Sequence, residues 1–162
     1  MKDMLEAALD ELVDQTCWHV SAGGVTWPSF MLALGKKIPR SIPLKNEAQP
    51  LVFRENDPSV SLLIWCSWRL ELASGMLGSS DGGPASESLL GQLTGKTVRI
   101  VERSEPAHDL TVLFDDLTRL KIFSDHVDSE ECSFEQNWEL TTPNYEISAG
   151  PGSTIEAAER SV

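Results

Sequence analysis

The stretch from Val60 to Leu72 (VSLLIWCSWRLEL) is the most strand-like segment of the chain. Every second residue from Leu62 onward is apolar or a cysteine, which is the period of a β-strand with one face in a core. Leu63 and Trp65 add apolar side chains on the opposite face, so the first half of the stretch should be buried on both sides. The alternation predicts one continuous strand over the whole stretch.

Shorter segments with the same period lie on both sides of this stretch. They are residues 17–20, 30–34, 98–102, 110–114, 120–123, 137–141 and 145–148. Ahead of them, Asp3 can cap an amphipathic helix that we expect to end near Gln15. These elements predict an α+β fold with a mainly antiparallel sheet, or sheets, and a helix at the N-terminus.

The connecting segments carry weaker signals. The proline-rich segment 36–58 is expected to be extended, with at most a short strand at Leu51–Phe53. Ser86 can cap a helix over Glu87–Thr94, with Gly95 as its stop. Ser153 is in a position to start a frayed terminal helix.

The length of 162 residues fits a single α+β domain over residues 1–162. A shift of 80 residues places the 30–34 segment onto the 110–114 segment, which suggests two repeated halves, 1–75 and 86–150, joined by a Gly/Ser-rich linker over 74–86. A duplication produces this pattern, but any two antiparallel segments alternate in the same way. Both interpretations stay open.

The net charge of −12 is concentrated in the second half of the chain. Residues 1–101 contain 11 acidic and 9 basic residues, whereas residues 102–146 contain 12 acidic and 3 basic residues. The densest acidic run is Asp125, Asp128, Glu130, Glu131 and Glu135. This run is either a solvated loop or the protein-binding part of an acidic face, since a field of one sign selects partners of the opposite sign.

Few residues of the chain suggest catalysis or metal binding. Cys17 and His19 share one side of a predicted strand, and His126 with Cys132 could complete a zinc set, although neither pair has the usual ligand spacing. Cys66 lies on an apolar face and is expected to pack in the core. The G-x-S-x-G match within residues 78–82 lies in the Gly/Ser-rich segment and not directly between a strand and a helix. We predict no cofactor and no metal, and a binding protein in preference to an enzyme.

Composition also excludes several partners. An excess of acidic residues disfavours nucleic acid and anionic membranes, because both need clustered Lys and Arg. No segment has the roughly 20 apolar residues of a membrane span. Three widely spaced cysteines are not a disulfide framework, so a cytoplasmic location is expected.

Four segments resemble parts of small bacterial proteins of unknown function, some of which are similar to immunity partners encoded near toxins. The segments are SLLIWCSWRLEL (61–72), DLTVLFDD (109–116), RLKIF (119–123) and NWEL (137–140). The resemblance covers mostly residues 60–72 and 109–141. It implies a small cytoplasmic α+β binding protein without known catalysis.

The sequence therefore predicts a non-enzymatic cytoplasmic binding protein with an acidic face over residues 102–146, immunity-like toward a basic protein. One alternative is a small-ligand binder or enzyme with a pocket between the sheet halves. Another is a structural homo-oligomer joined along an exposed sheet edge.

Overall fold

The computed structural model describes residues 2–23, 27–127 and 136–161 and confirms the predicted α+β fold. The helices are α1 (Lys2–Leu12), α2 (Leu51–Glu55) and α3 (Gly83–Leu90). The strands are β1 (Cys17–Ala22), β2 (Phe30–Pro39), β3 (Asn56–Ile64), β4 (Ser67–Glu71), β5 (Leu77–Ser79), β6 (Val98–Ser104), β7 (Asp109–Phe114), β8 (Arg119–Phe123), β9 (Trp138–Thr141), β10 (Tyr145–Gly150) and β11 (Thr154–Glu159). They form two antiparallel sheets of six and five strands with one hydrophobic core between them.

The predicted continuous strand over Val60–Leu72 is wrong, because the chain changes sheets at Trp65 and Cys66. Both backbone N–H groups of these residues donate to the carbonyl of Asn137, at 2.9 and 3.2 Å, and leave the strand ladder. The predicted inward face is nevertheless buried at Leu62, Ile64, Cys66, Trp68, Leu70 and Leu72. Both sheets turn their apolar face to the same core. The alternation of inward and outward side chains therefore continues across Trp65 and Cys66 as it would in a single strand.

The two halves of the chain exchange strands. The six-stranded sheet has the order β1-β2-β3-β9-β10-β11, and the five-stranded sheet has the order β5-β4-β8-β7-β6. The six-stranded sheet thus combines β1 to β3 with β9 to β11, and the five-stranded sheet combines β6 to β8 with the earlier strands β4 and β5. The predicted 74–86 linker holds β5 and the start of α3.

Local details recur between the halves. A β-bulge interrupts the β1–β2 pairing between Cys17 and His19, and another interrupts the β6–β7 pairing between Val98 and Ile100. The indole of Trp68 in β4 donates to the carbonyl of Pro28 (2.9 Å), and that of Trp138 in β9 donates to the carbonyl of His108 (2.8 Å). Pro28 and His108 are 80 residues apart, which is the shift that aligns the sequence segments. A duplicated origin stays a prediction that these correspondences favour.

Two helices close the sides of the sandwich. Helix α1 lies beside β6, β10 and β11 and buries its apolar stripe, which is Leu5, Ala8, Leu9 and Leu12. It ends at Leu12, earlier than the predicted Gln15. Helix α3 lies beside β5 and β1. None of the helices in the described ranges is long and apolar enough to cross a membrane.

Three weaker predictions are corrected. The predicted strand at Leu51–Phe53 is helix α2, because the carbonyl of Pro50 accepts the N–H groups of Phe53 and Arg54, both at 3.0 Å. The helix predicted over 87–94 begins at Gly83 and continues as a 3₁₀ turn over Gly91–Leu93. The predicted terminal helix is strand β11, which pairs with β10 along its whole length.

Candidate binding site

The β1 bulge separates the two candidate metal ligands of that strand. Cys17 points into the core and is fully buried, while His19 faces outward and its Nε2 donates to Gln49 Oε1 (2.9 Å). Burial lowers the pKa of His19 against the opposing effect of this hydrogen bond. The expectation that Cys17 and His19 share one side is therefore wrong. Across the described ranges, no three potential ligand side chains gather into a metal-binding group.

The buried thiols should resist alkylation in the folded protein. Burial raises the pKa of both Cys17 and Cys66 to about 12, so neither forms the reactive thiolate near neutral pH. With iodoacetamide at pH 8, we expect peptide mapping to show both residues unmodified in buffer and modified in urea. Modification of either residue at the same rate in both conditions would contradict this burial.

The raised pKa values of these two thiols lead us to expect that the folded protein loses stability in alkali. An unfolded chain releases these protons near the ordinary pKa of 9.0, whereas the folded chain holds them until about 12. Stability is thus fully present below pH 9 and falls as the pH rises toward 12.

The G-x-S-x-G match lies directly between β5 and α3, so the expectation that it does not lie between a strand and a helix is wrong. Ser80 follows β5, and its hydroxyl accepts a hydrogen bond from the backbone N–H of Trp68 (3.3 Å). In the described residues, no histidine or carboxylate hydrogen-bonds the Ser80 hydroxyl. The segment anchors the start of β4.

The predicted acidic run can be followed only at its first member. Asp125 is exposed, and its carboxylate accepts hydrogen bonds from the backbone N–H (3.1 Å) and the hydroxyl of Ser67. It therefore ties the end of β8 to the start of β4. The other members lie outside the described residues, as does Cys132; they are Asp128, Glu130, Glu131 and Glu135.

A separate acidic surface lies on the outer face of the six-stranded sheet. Ser148 in β10 pairs with Glu139 of β9 on one side and with Glu156 of β11 on the other. Glu146 precedes Ser148 by two residues and so lies on the same face. These three glutamates surround a groove of about 460 Å³, which we call the acidic groove. Its lining also includes the short side chains Thr141, Ser148, Ala157 and Ala158.

Two neighbours orient the carboxylates of the acidic groove. The indole of Trp65 donates to Glu139 Oε2 (3.3 Å), and Arg160 Nε lies 3.4 Å from Glu146 Oε1. The three carboxylates therefore lie within two strand spacings of each other, about 10 Å, and one arginine lies at the margin. This arrangement concentrates negative charge above a floor of short side chains.

An adjoining groove of about 520 Å³ extends this surface toward β2 and β3. Thr141 lines both grooves, and the walls of the second are mixed: five apolar residues, Met31, Ile38, Phe53, Pro58 and Pro143, lie among polar and charged ones. Arg40 and Arg160 also line it, but Arg40 pairs with Asp57 and Arg160 Nη1 donates to the carbonyl of Thr142 (2.9 Å). We call this second site the adjoining groove.

Sequence reasoning located only part of this surface. Glu139 and Glu146 belong to the predicted acidic stretch 102–146 but were not distinguished from the other acids. Glu156 was missed, since residues 153 onward were expected to form a helix. The signal that was available is the alternation in Thr154–Glu159 (TIEAAE). It places Glu156 on one face of the strand and its neighbours Ile155 and Ala157 on the other face.

Both grooves lie on the outer face of the six-stranded sheet, and the buried apolar residues of the two sheets form one core cluster. Comparisons of this chain with protein-family models, with curated proteins and with solved structures found no match.

Proposed function

We propose that this chain is a non-enzymatic binding protein whose acidic groove holds a basic segment of a partner protein. The observation that carries the proposal is the convergence of Glu139, Glu146 and Glu156 from three adjacent strands around a floor of short side chains. An immunity-like role toward a basic protein is the specific form of this proposal, in keeping with the resemblance of the strand segments.

The shape of the surface suits an extended segment. Short side chains at Ser148 and Ala158 leave room for a backbone between the glutamates, and lysine or arginine side chains of the partner can reach the carboxylates on either side. The five apolar residues of the adjoining groove offer a place for one apolar side chain of the same segment. The proposed partner sequence thus combines basic residues with an apolar anchor.

Electrostatics should act mainly on the rate of association. Each exposed ion pair stabilises a complex by only about 0.2–1 kcal/mol. A concentrated field of one sign, however, steers an oppositely charged partner and raises the association rate, and salt weakens the effect. Binding through the acidic groove should therefore weaken steeply as ionic strength rises.

Reversing the charge of the groove should abolish most of this binding. The probe is a fluorescein-labelled peptide of about ten residues, in which lysine alternates with serine to favour an extended segment. In the triple variant Glu139→Lys, Glu146→Lys and Glu156→Lys, we expect the affinity for this peptide to fall at least about tenfold, because attraction becomes repulsion at three positions. Fluorescence anisotropy at low salt measures it.

A matched control separates the groove from the overall charge. The variant Glu47→Lys, Glu55→Lys and Asp81→Lys changes the net charge equally at three exposed positions away from the groove. Its affinity should change by less than about threefold, since screening limits distant charges. Equal losses in the two variants would overturn the proposal.

A further inference from the structure

The segment that joins β2 to β3 collects much of the positive charge of the chain. Residues 36–54 contain five of its 13 basic residues and only one of its 25 acidic residues. The basic residues are Lys36, Lys37, Arg40, Lys45 and Arg54, and the acidic residue is Glu47. We call residues 36–54 the basic arm. Its composition is the opposite of that of the chain, whose net charge is −12.

Most of the cations of the basic arm have no carboxylate partner. Arg40 pairs with Asp57 in β3, which neutralises one of the five. The other four form no ion pair within the described part of the chain; they are Lys36, Lys37, Lys45 and Arg54. Glu47 and Glu55 are the two remaining carboxylates of the segment between the strands. Unpaired cations therefore outnumber carboxylates here by four to two.

Exposed apolar side chains accompany this charge. In the described ranges, five of the ten large apolar side chains that are exposed belong to the basic arm. They are Ile38, Ile42, Leu44, Leu51 and Val52, and Ile42 is 76% exposed. Apolar side chains gathered on one exposed segment mark an interaction site more often than single ones do. The basic arm thus offers both cations and apolar contacts to a partner.

The basic arm is held on the outer face of the six-stranded sheet. Gln49 Nε2 donates to the hydroxyl of Ser21 (2.8 Å), and the ring of Phe53 packs against that of His19, with 4.6 Å between the ring centroids. His19 and Ser21 are outward-facing residues of β1. The arm therefore forms a ridge above the β1 end of this face.

The other half of the same face is low and acidic. Strands β9, β10 and β11 carry the acidic groove, whose floor consists of short side chains. The strand order β1-β2-β3-β9-β10-β11 places the middle of the sheet between β3 and β9. The face therefore has a basic ridge on one side of this line and an acidic depression on the other.

We infer that two copies of this chain pair face to face, with the basic arm of each copy against the acidic groove of the other. The inference rests on the acidic groove of the proposed function and names an occupant for it. The arm has the composition expected of that occupant, since it combines basic residues with exposed apolar side chains. A twofold axis parallel to the strands, above the middle of the sheet, makes both contacts at once.

Charge selects this arrangement among the possible partners of the face. A twofold axis across the strands would place arm on arm and groove on groove, so that like charges meet. An anionic membrane would attract the basic arm, but it would repel the acidic groove on the same face. A second copy, in contrast, complements both halves of the face.

The size of the face predicts a weak dimer. Six strands about 4.8 Å apart and about 20 Å long present an area of roughly 600 Å². Two copies then bury roughly 1,200 Å² in total, which is the lower end of the range for specific interfaces. We therefore expect a dissociation constant of about 10–100 μM at low salt, and weaker association as salt screens the charges.

Sedimentation velocity of the full-length protein measures this association. Concentrations from about 1 to about 300 μM bracket the expected dissociation constant. The weight-average mass should rise from that of one chain to that of two over this range. A mass of one chain at every concentration would overturn the inference.

Charge-swap variants test which surfaces meet. The arm variant Lys37→Glu with Lys45→Glu and the groove variant Glu139→Lys with Glu156→Lys should each associate with themselves at least about tenfold more weakly, because like charges then face each other. An equimolar mixture of the two should form dimers again, since each groove meets an arm of opposite charge. This rescue also shows that both variants fold. A mixture that stays monomeric would overturn the inference.

A control variant separates the arm from the overall charge. Arg99→Glu with Arg119→Glu makes the same charge change as the arm variant at two exposed positions of the five-stranded sheet. Its dissociation constant should change by less than about threefold. Losses as large as those of the arm variant would overturn the inference.

The lysine–serine peptide distinguishes this inference from the proposed function, because both use the acidic groove. Excess peptide should convert the dimer into monomers. A monomeric protein that binds the peptide would overturn only this inference, whereas a charge-swapped dimer of a chain that does not bind the peptide would overturn only the proposed function. Binding of a monomeric protein to phosphatidylserine vesicles would assign the basic arm to a lipid surface and would also overturn the inference.

Discussion

Replacing Trp138 by alanine is expected to lower the free energy of unfolding by about 3–5 kcal/mol, the usual cost of truncating a large buried aromatic side chain. Trp138 is fully buried between the sheets, and its indole donates to the carbonyl of His108 (2.8 Å). The substitution opens a cavity and also leaves that carbonyl without its donor. Urea unfolding followed by circular dichroism measures the loss.

Two further substitutions separate packing from hydrogen bonding. Trp138→Phe keeps most of the apolar volume and removes the donor, so we expect a smaller loss of about 1–3 kcal/mol. Trp65→Ala serves as the control, because Trp65 is only half-buried at the surface of the six-stranded sheet. A loss for Trp138→Ala no larger than that for Trp65→Ala would show that Trp138 does not join the sheets.

Replacing Asn137 by alanine is expected to lower the free energy of unfolding by about 2–4 kcal/mol, since backbone groups of buried Gly150 and half-buried His126 lose this side chain as a partner. Its Oδ1 accepts the backbone N–H of His126 (2.9 Å), and its Nδ2 donates to the carbonyl of Gly150 (3.1 Å). The side chain thus joins the segment after β8 to the end of β10. The substitution should also raise hydrogen exchange at the His126 amide.

Ser148→Ala is the matched control for this loss. Ser148 lies on the outer face of β10, on the floor of the acidic groove, and its substitution should change stability by no more than about 0.5 kcal/mol. If Asn137→Ala behaves like this control, the two side-chain hydrogen bonds contribute nothing to stability. Unchanged exchange at His126 would contradict the proposed link even where stability falls.

Apolar periodicity was sufficient to predict helix α1 and most of the strands, because each buries one face in a shared core. It could not reveal that the chain changes sheets at Trp65 and Cys66, because every second residue points into the core both before and after the change. The bulge between Cys17 and His19 was equally hidden, because a bulge reverses the parity of a strand without a characteristic residue. This reversal is why the expected Cys17–His19 pair does not form.

The candidate site depends on register, which a sequence does not display. Charge counting found the acidic stretch 102–146, but Glu156 joins Glu139 only through the pairing of both strands with Ser148. Strand β11 was misread because glutamate and alanine are good helix formers, and an edge strand lacks the apolar run that marks a central one.

The exchange of strands between the two sheets decides when this chain can finish folding. During synthesis, β1, β2 and β3 emerge long before β9, so Ile64 can pair with Phe30 on one side but has no partner on the other side until Trp138 follows. Strand β4 is made before the sheet that it joins, because its partner β8 lies in the second half. Pairings so distant in sequence are slow to close and leave apolar strand edges exposed in the meantime. We therefore expect a nascent chain of this protein to complete neither sheet before β8 to β11 have left the ribosome.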